Sequence, residues 1–522
     1  MKNNYIALTI GPIYKTFYKA RRVKEFWAVS YLFSQIMKEL TKKIYDSKKV
    51  KSDIILPFID NTDFFKQTRV GLFPDWIIFK TDESEVEYNK LPDFINEVYL
   101  SVSELLIVDK IISQNEILTF FNKYLKIYYF KKEVDSKDNP ILTLSPHLHQ
   151  LELQNPINSV DYTPLLYKVF NNLYRTKLYD LHYRKYGDER HLSMEEIATR
   201  DIISVIGKEN YKKLLIETVF SKEDDDDRNS DYKGKDFFEE LTKAVNTHDK
   251  KFGKESSFKT YHKYIAIVKA DGDKIGKTLK ALKQGDEAGF SNSLLQWGKA
   301  SQKIIEGFDA LPIYIGGDDI LFFAPVVNNG ENILQIIEKI NNKFNTQFTD
   351  KEVKPSLSFG VSITFYKYPL FEALENADRL LKLAKDKGGN GICFQLLKHS
   401  GSSFNIHIRL EQDDKLSKII NQLLVSEEKT SVISSVAYHL RDNEKVFEII
   451  GNDPERIYQF FKNDFEGFNS SDYLKTAKEL TVETFKNKIS AFLKDTYKET
   501  MNEIYNALRF TKFLKGFDEN DR

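Results

Sequence analysis

Two stretches of this chain combine short apolar runs with longer amphipathic segments, and both begin with nearly the same residues. Tyr5-Ile-Ala-Leu8 and Tyr264-Ile-Ala-Ile267 differ by one conservative exchange. Short runs rich in Ile, Tyr and Phe are typical of β-strands, whereas apolar residues at intervals of three and four indicate amphipathic helices. The pattern therefore predicts a repeated α/β module, with a first copy in residues 1–130 and a second in residues 260–396.

The second copy has the clearer order of elements. Its predicted elements are a strand at 264–270, helices near 274–283 and 290–306, a hairpin at 312–324, a helix at 331–346, a strand at 356–365, a helix opened by Pro369 and a strand at 391–396. The order βααββαβαβ is that of a ferredoxin-like fold with additions. The predicted fold class is α+β: two ferredoxin-like modules, a mainly helical insert at 131–259 and a helical domain at 397–522.

Composition limits the partners and the compartment. Among 522 residues, 77 are Lys or Arg and 77 are Asp or Glu, so any contact with nucleic acid needs a local basic patch rather than bulk charge. Cys393 is the single cysteine, which excludes an internal disulfide and a cysteine-rich zinc site. No apolar run approaches the ~20 residues of a membrane span, and no signal peptide is apparent. We therefore expect a soluble, cytoplasmic protein without structural zinc or a membrane partner.

The strongest candidate chemistry lies in the predicted hairpin of the second copy. Gly316-Gly317 separates two apolar runs and predicts a tight turn, which places Asp318 and Asp319 at its tip. Two adjacent carboxylates repel each other unless a cation neutralises them, and hard oxygen ligands favour Mg²⁺ or Mn²⁺. The glycines would let the backbone approach a bulky anion such as a triphosphate. An ordinary polar hairpin is the alternative.

A second acidic motif ends the first strand of the same copy. Asp271-Gly272-Asp273 follows the apolar run at 264–270. If this strand lies beside the hairpin, Asp271 joins Asp318 and Asp319 at one point. Three carboxylates in this arrangement are typical of a two-metal site for nucleotidyl transfer, in which the ions hold the attacking and leaving oxygens.

The first copy has lost these ligands. Aligning the two initial strands places Pro12 where the second copy has Asp271, and a proline side chain cannot bind a cation. In the same alignment, Phe73-Pro74-Asp75-Trp76 falls near Gly317-Asp318-Asp319-Ile320. The sequence therefore predicts one metal-binding module and one degenerate module.

Other polar residues are weaker candidates. Lys382 and Lys385 lie off the apolar stripe of the helix opened by Pro369, so they either approach a triphosphate or face solvent. His248-Asp249 matches the dipeptide of metal-dependent phosphohydrolases, but it stands alone in a predicted linker, and we interpret it as accidental. The pair Arg21-Arg22, predicted on the helix after the first strand, either contacts a phosphate or carboxylate or faces solvent.

These motifs together resemble a known family. The second copy resembles the nucleotidyl-cyclase palm that GGDEF diguanylate cyclases share with the large subunit of type III CRISPR effector complexes, and Gly316-Gly-Asp-Asp319 matches the latter. The segments Leu8-Thr-Ile-Gly-Pro-Ile13, Ala20-Arg-Arg22 and Leu192-Ser-Met-Glu-Glu-Ile-Ala-Thr199, with Trp27, are similar to the Cmr-type (III-B) large subunit. The resemblance covers nearly the whole chain in the right order.

The resemblance implies an RNA-activated nucleotidyltransferase in antiviral defence. It implies assembly with crRNA, target RNA and smaller Cmr-type subunits, and synthesis of cyclic oligoadenylate from ATP; some members of the family instead adenylylate S-adenosylmethionine. A template-dependent polymerase with a basic channel, a homodimeric cyclic-di-GMP synthase and a non-catalytic scaffold are the alternatives.

The resemblance also implies roles for individual residues. Asp271, the Gly272 carbonyl and Asp318 would hold the metal ions, and Asp319 would assist. The implied nucleotide-binding residues are Gly316, Gly317, Asp273, Lys382 and Lys385.

Two departures from the family pattern matter. Many relatives begin with an HD nuclease domain, whereas this sequence starts directly with the first module, so we expect no DNA cleavage. Many relatives carry a four-cysteine zinc site, which Cys393 alone cannot form.

Asp75 is a candidate for recognition of the acceptor substrate. If the two modules face each other, Asp75 would lie near the second nucleotide pocket. A carboxylate there is a poor neighbour for a triphosphate, but a good one for the ammonium or sulfonium of S-adenosylmethionine. The alternative is that Asp75 caps a turn or pairs with Arg21 or Arg22.

Overall fold

The structure is a computed structural model, and it leaves parts of the chain undescribed. It describes residues 2–47, 54–59, 62–82, 84–153, 161–182, 192–219, 236–283, 285–349, 352–410 and 496–516, with isolated positions between 420 and 459. Most of the predicted helical domain at 397–522 therefore lies outside the described residues.

The β-strands of the described residues are grouped in three sheets. They are β1 (Lys2–Gly11), β2 (Ile54–Leu56), β3 (Trp76–Lys80), β4 (Lys126–Asp135), β5 (Tyr264–Asp273), β6 (Leu311–Gly316), β7 (Asp319–Pro325), β8 (Val327–Asn328), β9 (Glu331–Asn332), β10 (Ser356–Phe365), β11 (Gly391–Leu397) and β12 (Ser403–Arg409).

The α-helices of the described residues follow the strands in chain order. They are α1 (Ile13–Phe17), α2 (Val23–Ser47), α3 (Ser84–Ser103), α4 (Gln114–Tyr124), α5 (Pro140–Glu152), α6 (Thr163–Asn171), α7 (Lys177–His182), α8 (Met194–Ala198), α9 (Ile203–Ile206), α10 (Lys208–Thr218), α11 (Phe237–Lys251), α12 (Ile275–Ala281), α13 (Glu287–Gly307), α14 (Ile333–Gln347), α15 (Leu370–Asp386) and α16 (Thr496–Leu514).

The two modules have the same strand order. The first sheet runs β2-β3-β1-β4, and the second runs β12-β11-β10-β5-β7-β6. Numbered within each module, both contain the order second, third, first, fourth, which is the ferredoxin-like arrangement. The second sheet adds β11, parallel to β10, and then β12. The predicted α+β fold with two related modules is confirmed.

The ladder registers correct the alignment of the two modules. Thr9 pairs with Trp76, and its counterpart Val268 pairs with Phe322. Trp76 therefore corresponds to Phe322, two residues beyond the Ile320 that the sequence alignment gave. The alignment was shifted because it matched residues in the turn, whereas the registers depend on hydrogen bonds along the strands.

The two modules share one hydrophobic core. Ile6 and Leu8 of β1 belong to the same buried cluster as Ile265 and Ile267 of β5. The long helix α2 lies between the modules and packs on β6. A backbone hydrogen bond also joins them, because the Ile315 amide donates to the Gly71 carbonyl at 3.3 Å. The loop before β3 is thereby held against the hairpin of the second module.

Some elements differ from the sequence prediction. Ala20-Arg21-Arg22 lies between α1 and α2 rather than on a helix, and the Arg21 and Arg22 amides donate to the buried Glu25 carboxylate at 2.7 and 3.2 Å. His248-Asp249 lies in α11, not in a linker. β4 crosses the predicted boundary at residue 130, and β12 is a strand where helices were predicted.

Within the described residues of the predicted insert at 131–259, the helices are α5 to α11, preceded by the end of β4. A search of the described helices for a long, sufficiently apolar segment found no candidate membrane span.

Candidate active site between the two modules

A two-residue turn joins β6 to β7 and presents the acidic motif. Gly316 pairs with Asp319, and Gly317 and Asp318 form the turn between them. Gly317 has φ +61°, a backbone conformation that favours glycine. The buried side chains of Ile315 and Ile320 anchor the hairpin to the core. The predicted hairpin is thus confirmed.

The antiparallel pairing of β5 with β7 brings the third carboxylate to this turn. Ala270 pairs with Ile320, so the next residue on β5, Asp271, lies beside Asp319. Carboxylate oxygens of Asp271, Asp318 and Asp319 lie within 4.8 Å of one another, and all three residues are half-buried. Within the described residues, this is the one group of three such side chains close enough to share a metal ion.

The carboxylates of the hairpin are destabilised in their charged form. Burial raises the pKa of Asp318, although backbone N–H groups at Asp318 and Gly272 oppose the shift. Burial, followed by repulsion from Asp318 and Asp75, raises the pKa of Asp319 well above its usual range. A cation at the triad would relieve this repulsion, and oxygen donors suit Mg²⁺ or Mn²⁺. The donor set therefore fits the predicted metal.

Gly272 makes room for the triad. A Cβ atom at this position would lie 2.3 Å from a carboxylate oxygen of Asp318 and 2.9 Å from its Cβ. Only a residue without a side chain lets Asp318 approach β5 so closely. Gly317, in contrast, has open space around its Cα. That space is consistent with the predicted approach of a phosphate chain to the turn.

The two candidate lysines have different positions on α15. The ammonium of Lys385 forms an ion pair with Asp271 and donates to the Gly272 carbonyl at 3.1 Å. Burial lowers the pKa of Lys385. Lys382, one turn earlier, is exposed to solvent. Of the two, the structure brings Lys385 into the carboxylate cluster.

Asp273 was predicted to bind nucleotide, but its carboxylate is hydrogen-bonded to other residues of the protein. Its carboxylate accepts hydrogen bonds from the Ser356 hydroxyl at 3.1 Å, the Ser358 hydroxyl at 2.9 Å and the Asn390 amide at 2.8 Å. The side chain is buried. Asp273 therefore fixes β10 and the glycine-rich loop before β11, rather than facing a ligand. A Cβ on Gly389 would lie 2.8 Å from this carboxyl group, so glycine is needed there.

A cavity of about 380 Å³ opens beside the triad, between the modules. One wall comes from β1, α1, α2 and the loop before β3, and the other from β5, β7 and α15. The first wall is largely apolar and includes Phe17, Phe26, Phe33 and Met37. Five carboxylates line the cavity: Asp75, Asp271, Asp319, Glu375 and Asp378. A triphosphate could approach them only with cations present.

Comparison with known proteins gives two family matches in separate parts of the chain. Residues 5–118 match the N-terminal region of the CRISPR-associated protein Cmr2, and residues 264–393 match the second palm domain of Cas10/Cmr2. The second match contains the whole carboxylate triad. The two matches, which together cover less than half of the chain, support a Cmr-type large subunit.

A curated member of this family shows how much of the chain is similar. The Cmr subunit Cmr2 of Pyrococcus furiosus is 26% identical over 288 residues, which are 48% of this chain and 31% of that protein. The aligned part is thus less than a third of that relative's length.

Solved structures show the same fold at low sequence identity. A chain of the type III-B Cmr-beta complex bound to cognate target RNA has a TM-score of 0.53 and 12% identity, with 98% of this chain and 83% of that chain covered. A chain of the apo Cmr-beta complex has a TM-score of 0.52 and 11% identity, covering 92% and 77%. Csm1 from T. onnurineus has a TM-score of 0.50 and 11% identity, covering 97% and 70%.

Asp75 lines the same cavity as Asp271 and Asp319, although it comes from the other module. Burial, and then repulsion from Glu152, raises the pKa of Asp75 to about 6, although a backbone hydrogen bond and His149 oppose the shift. The Arg21 guanidinium lies over the Tyr167 ring, 5.2 Å from its centroid. That position gives no support to the alternative in which Arg21 pairs with Asp75.

Two other groups that line the cavity belong to no motif that sequence reasoning could have recognised. Ser30 of α2 is 3% exposed, and its hydroxyl has no hydrogen-bond partner among the residues that the structure describes. Lys269 on β5 forms an ion pair with Asp378 on α15 and is the one lysine among the lining residues. Neither belongs to a motif; both became visible only when the two modules were placed together.

Proposed function

We propose that this chain is the nucleotidyltransferase subunit of a type III-B CRISPR effector complex and makes an adenine-nucleotide second messenger from ATP. The observation that carries the proposal is the carboxylate triad of Asp271, Asp318 and Asp319, which opens into a cavity built by both modules. A family match to the second palm domain of Cas10/Cmr2 covers the triad. We propose cyclic oligoadenylate as the product.

The partners and the compartment are part of the proposal. A relative of this fold is found in a Cmr-beta complex with target RNA. We infer that this chain assembles with crRNA, target RNA and smaller Cmr-type subunits, and that RNA binding switches on synthesis. The zero net charge favours local protein and RNA contacts over a bulk basic surface. The proposed compartment is the cytoplasm.

Each residue at the site has a proposed role. Asp271, Asp318 and the Gly272 carbonyl would hold Mg²⁺ or Mn²⁺, and Asp319 would assist. The chemistry that two such ions would supply is activation of an attacking hydroxyl and stabilisation of the departing pyrophosphate. Gly317 leaves space for the phosphates, whereas a Cβ at Gly316 would lie 2.4 Å from the Tyr314 hydroxyl oxygen. The apolar wall from α1 and α2 excludes water and offers surface to a base.

The test uses the complex assembled from the full chain, crRNA and the smaller subunits. It is incubated with labelled ATP and Mg²⁺ or Mn²⁺, with and without target RNA, and the products are identified by mass spectrometry. We expect RNA-dependent release of pyrophosphate and an adenylate product from wild type. Asp318→Asn should abolish both while leaving assembly intact.

The matched control is Asp286→Asn. Asp286 is an exposed aspartate before α13, and its side chain makes no capping hydrogen bond. This variant should retain wild-type turnover. If wild type forms the complex but makes no product under any of these conditions, the chain is a non-catalytic scaffold and the proposal is wrong.

A second product is favoured by one observation. Asp75 places an additional carboxylate in the cavity opposite the triad. A carboxylate attracts an ammonium or sulfonium and repels a second triphosphate. We therefore keep adenylylation of S-adenosylmethionine by ATP as the alternative reaction. Adding S-adenosylmethionine to the same assay distinguishes the two, because a conjugate and a cyclic oligoadenylate differ in mass.

A further inference from the structure

Lys385 contacts two groups that are proposed to bind a metal ion. Its ammonium pairs with the Asp271 carboxylate and donates a hydrogen bond to the Gly272 carbonyl at 3.1 Å. An ion held by these two oxygens would occupy nearly the same place as the ammonium. The lysine and the ion therefore cannot both make these contacts.

The helix that carries Lys385 is fixed, so only its side chain can move. Leu380 and Ala384 of α15 are fully buried. The helix also crosses β10 at Gly360, where an added Cβ would lie 2.2 Å from the Ala377 carbonyl oxygen. Helix and strand are thus in direct backbone contact, and α15 cannot shift without disturbing the core. The flexible four-carbon stem of lysine, in contrast, can rotate.

We propose that the Lys385 ammonium is a placeholder cation. In the metal-free chain it neutralises Asp271 and holds the Gly272 carbonyl in position; it leaves when a divalent ion binds. The released ammonium can then reach an anionic ligand above the triad. Loading of the site is then a cation exchange, in which a divalent ion takes the place of the ammonium at Asp271 and the Gly272 carbonyl. This inference rests on the metal site of the proposed function, but not on the reaction catalysed there.

The placeholder role and a purely structural role of Lys385 predict opposite changes in metal affinity when the lysine is removed. If the ammonium competes with the ion, removing it should tighten metal binding. A lysine that only supports the fold would weaken metal binding when removed, because the ligands would lose their positions. The sign of the change therefore distinguishes the two roles.

The experiment titrates the full metal-free chain with Mn²⁺ and follows free Mn²⁺ by electron paramagnetic resonance. We expect Lys385→Met to bind Mn²⁺ about five- to tenfold more tightly than Lys382→Met, since one nearby competing charge is removed. Lys382→Met is the matched control because it removes an exposed lysine from the same helix. Lys385→Arg keeps the charge and should not show the gain.

Thermal unfolding gives an independent measurement. Lys385→Met should unfold at a lower temperature than wild type in chelator, since the triad loses its counter-ion, and Mn²⁺ should raise its midpoint more than that of wild type. If Lys385→Met binds Mn²⁺ no more tightly than Lys382→Met, the placeholder proposal is wrong, while the metal site stands. If wild type shows no Mn²⁺ binding that Asp318→Asn removes, the metal site itself fails, and both proposals fall with it.

Discussion

Replacing Asp75 by asparagine should stabilise the metal-free protein, and the gain should depend on pH. Burial and the neighbouring Glu152 raise the pKa of Asp75 from 3.8 to about 6. Because the folded-state pKa lies above the unfolded value, the folded chain binds the proton more tightly. The ionised carboxyl therefore destabilises the folded chain. The penalty is absent at low pH and grows as the pH rises from 3.8, the unfolded pKa, to about 6, the folded pKa.

The shift sets the size of the effect. Two pKa units correspond to about 3 kcal/mol of destabilisation above pH 6, as an upper limit. Asp75 is half-buried, so solvent screening reduces this figure to about 1–2 kcal/mol. At pH 4.5 the penalty should fall to about a third of its value at pH 8, since the folded carboxyl is then largely protonated. Asp75→Asn removes the penalty.

The assay is denaturant unfolding of wild type and Asp75→Asn at pH 8 and pH 4.5, in chelator. Asp286→Asn, the exposed aspartate before α13, is the control for a general change of charge. An equal change in the free energy of unfolding at both pH values would refute the electrostatic account of Asp75.

The same variant tests the choice of acceptor. At the pH where Asp75 is ionised, it offers a negative charge to a cationic co-substrate across the cavity from the triad. Asp75→Asn should therefore lose conjugation of ATP to S-adenosylmethionine more than it loses binding of ATP. If wild type makes only cyclic oligoadenylates, or the variant forms the conjugate as well as wild type does, a cationic acceptor is excluded.

Four further changes have expected outcomes. Asp318→Ala combined with Asp319→Ala should abolish nucleotide synthesis without lowering the unfolding midpoint in chelator, because two carboxylates with raised pKa values are removed; wild-type turnover would refute the metal-site assignment. Gly272→Ala should reduce Mn²⁺ affinity in the same resonance titration, since its Cβ would displace the Asp318 carboxylate, and unchanged affinity would contradict this reason. Ser30→Ala should raise KM for a nucleotide with little change in kcat, measured by pyrophosphate release; an unchanged KM would show that the buried hydroxyl does not contact substrate. The purified chain should not cleave DNA, and cleavage that His248→Ala removes would show that His248 has a catalytic role.

The parts of the fold that could be predicted are those whose pattern is local. β10 occupies residues 356–365, as the alternation of apolar and small polar residues predicted. All its residues except the first and last are buried. The hairpin at Gly316 and Gly317 was equally clear, since two glycines between apolar runs leave few other conformations. β12 was missed, although Phe404, Ile406 and Ile408 alternate with polar residues.

The roles of the aspartates could not all be predicted, because they depend on partners distant in the sequence. Asp271 and Asp273 stand two residues apart on one strand. Asp271 contacts the hairpin and Lys385, whereas Asp273 accepts hydrogen bonds from Ser358 and Asn390. The pairing of β5 with β10 decides this difference, and no motif around residue 271 contains it. The tight turn and the acidic residues could be recognised in the sequence. Which aspartate joins the carboxylate cluster and which one supports the fold could not.

Asp75 shows that the first module, although it lacks the acidic motif, contributes to the candidate site. The first module has Pro12 where the second has Asp271, yet it keeps the same strand order and supplies a wall of the cavity. Its loop is held to β6 by the Gly71 carbonyl, and Asp75 in that loop repels Asp319, so the first module also acts on the charge of the triad. Under the proposed function, we therefore expect the choice of acceptor to depend on the first module and metal binding to depend on the second. If the two modules have these separate roles, variants of the first module should alter which product forms, and variants of the triad should stop synthesis.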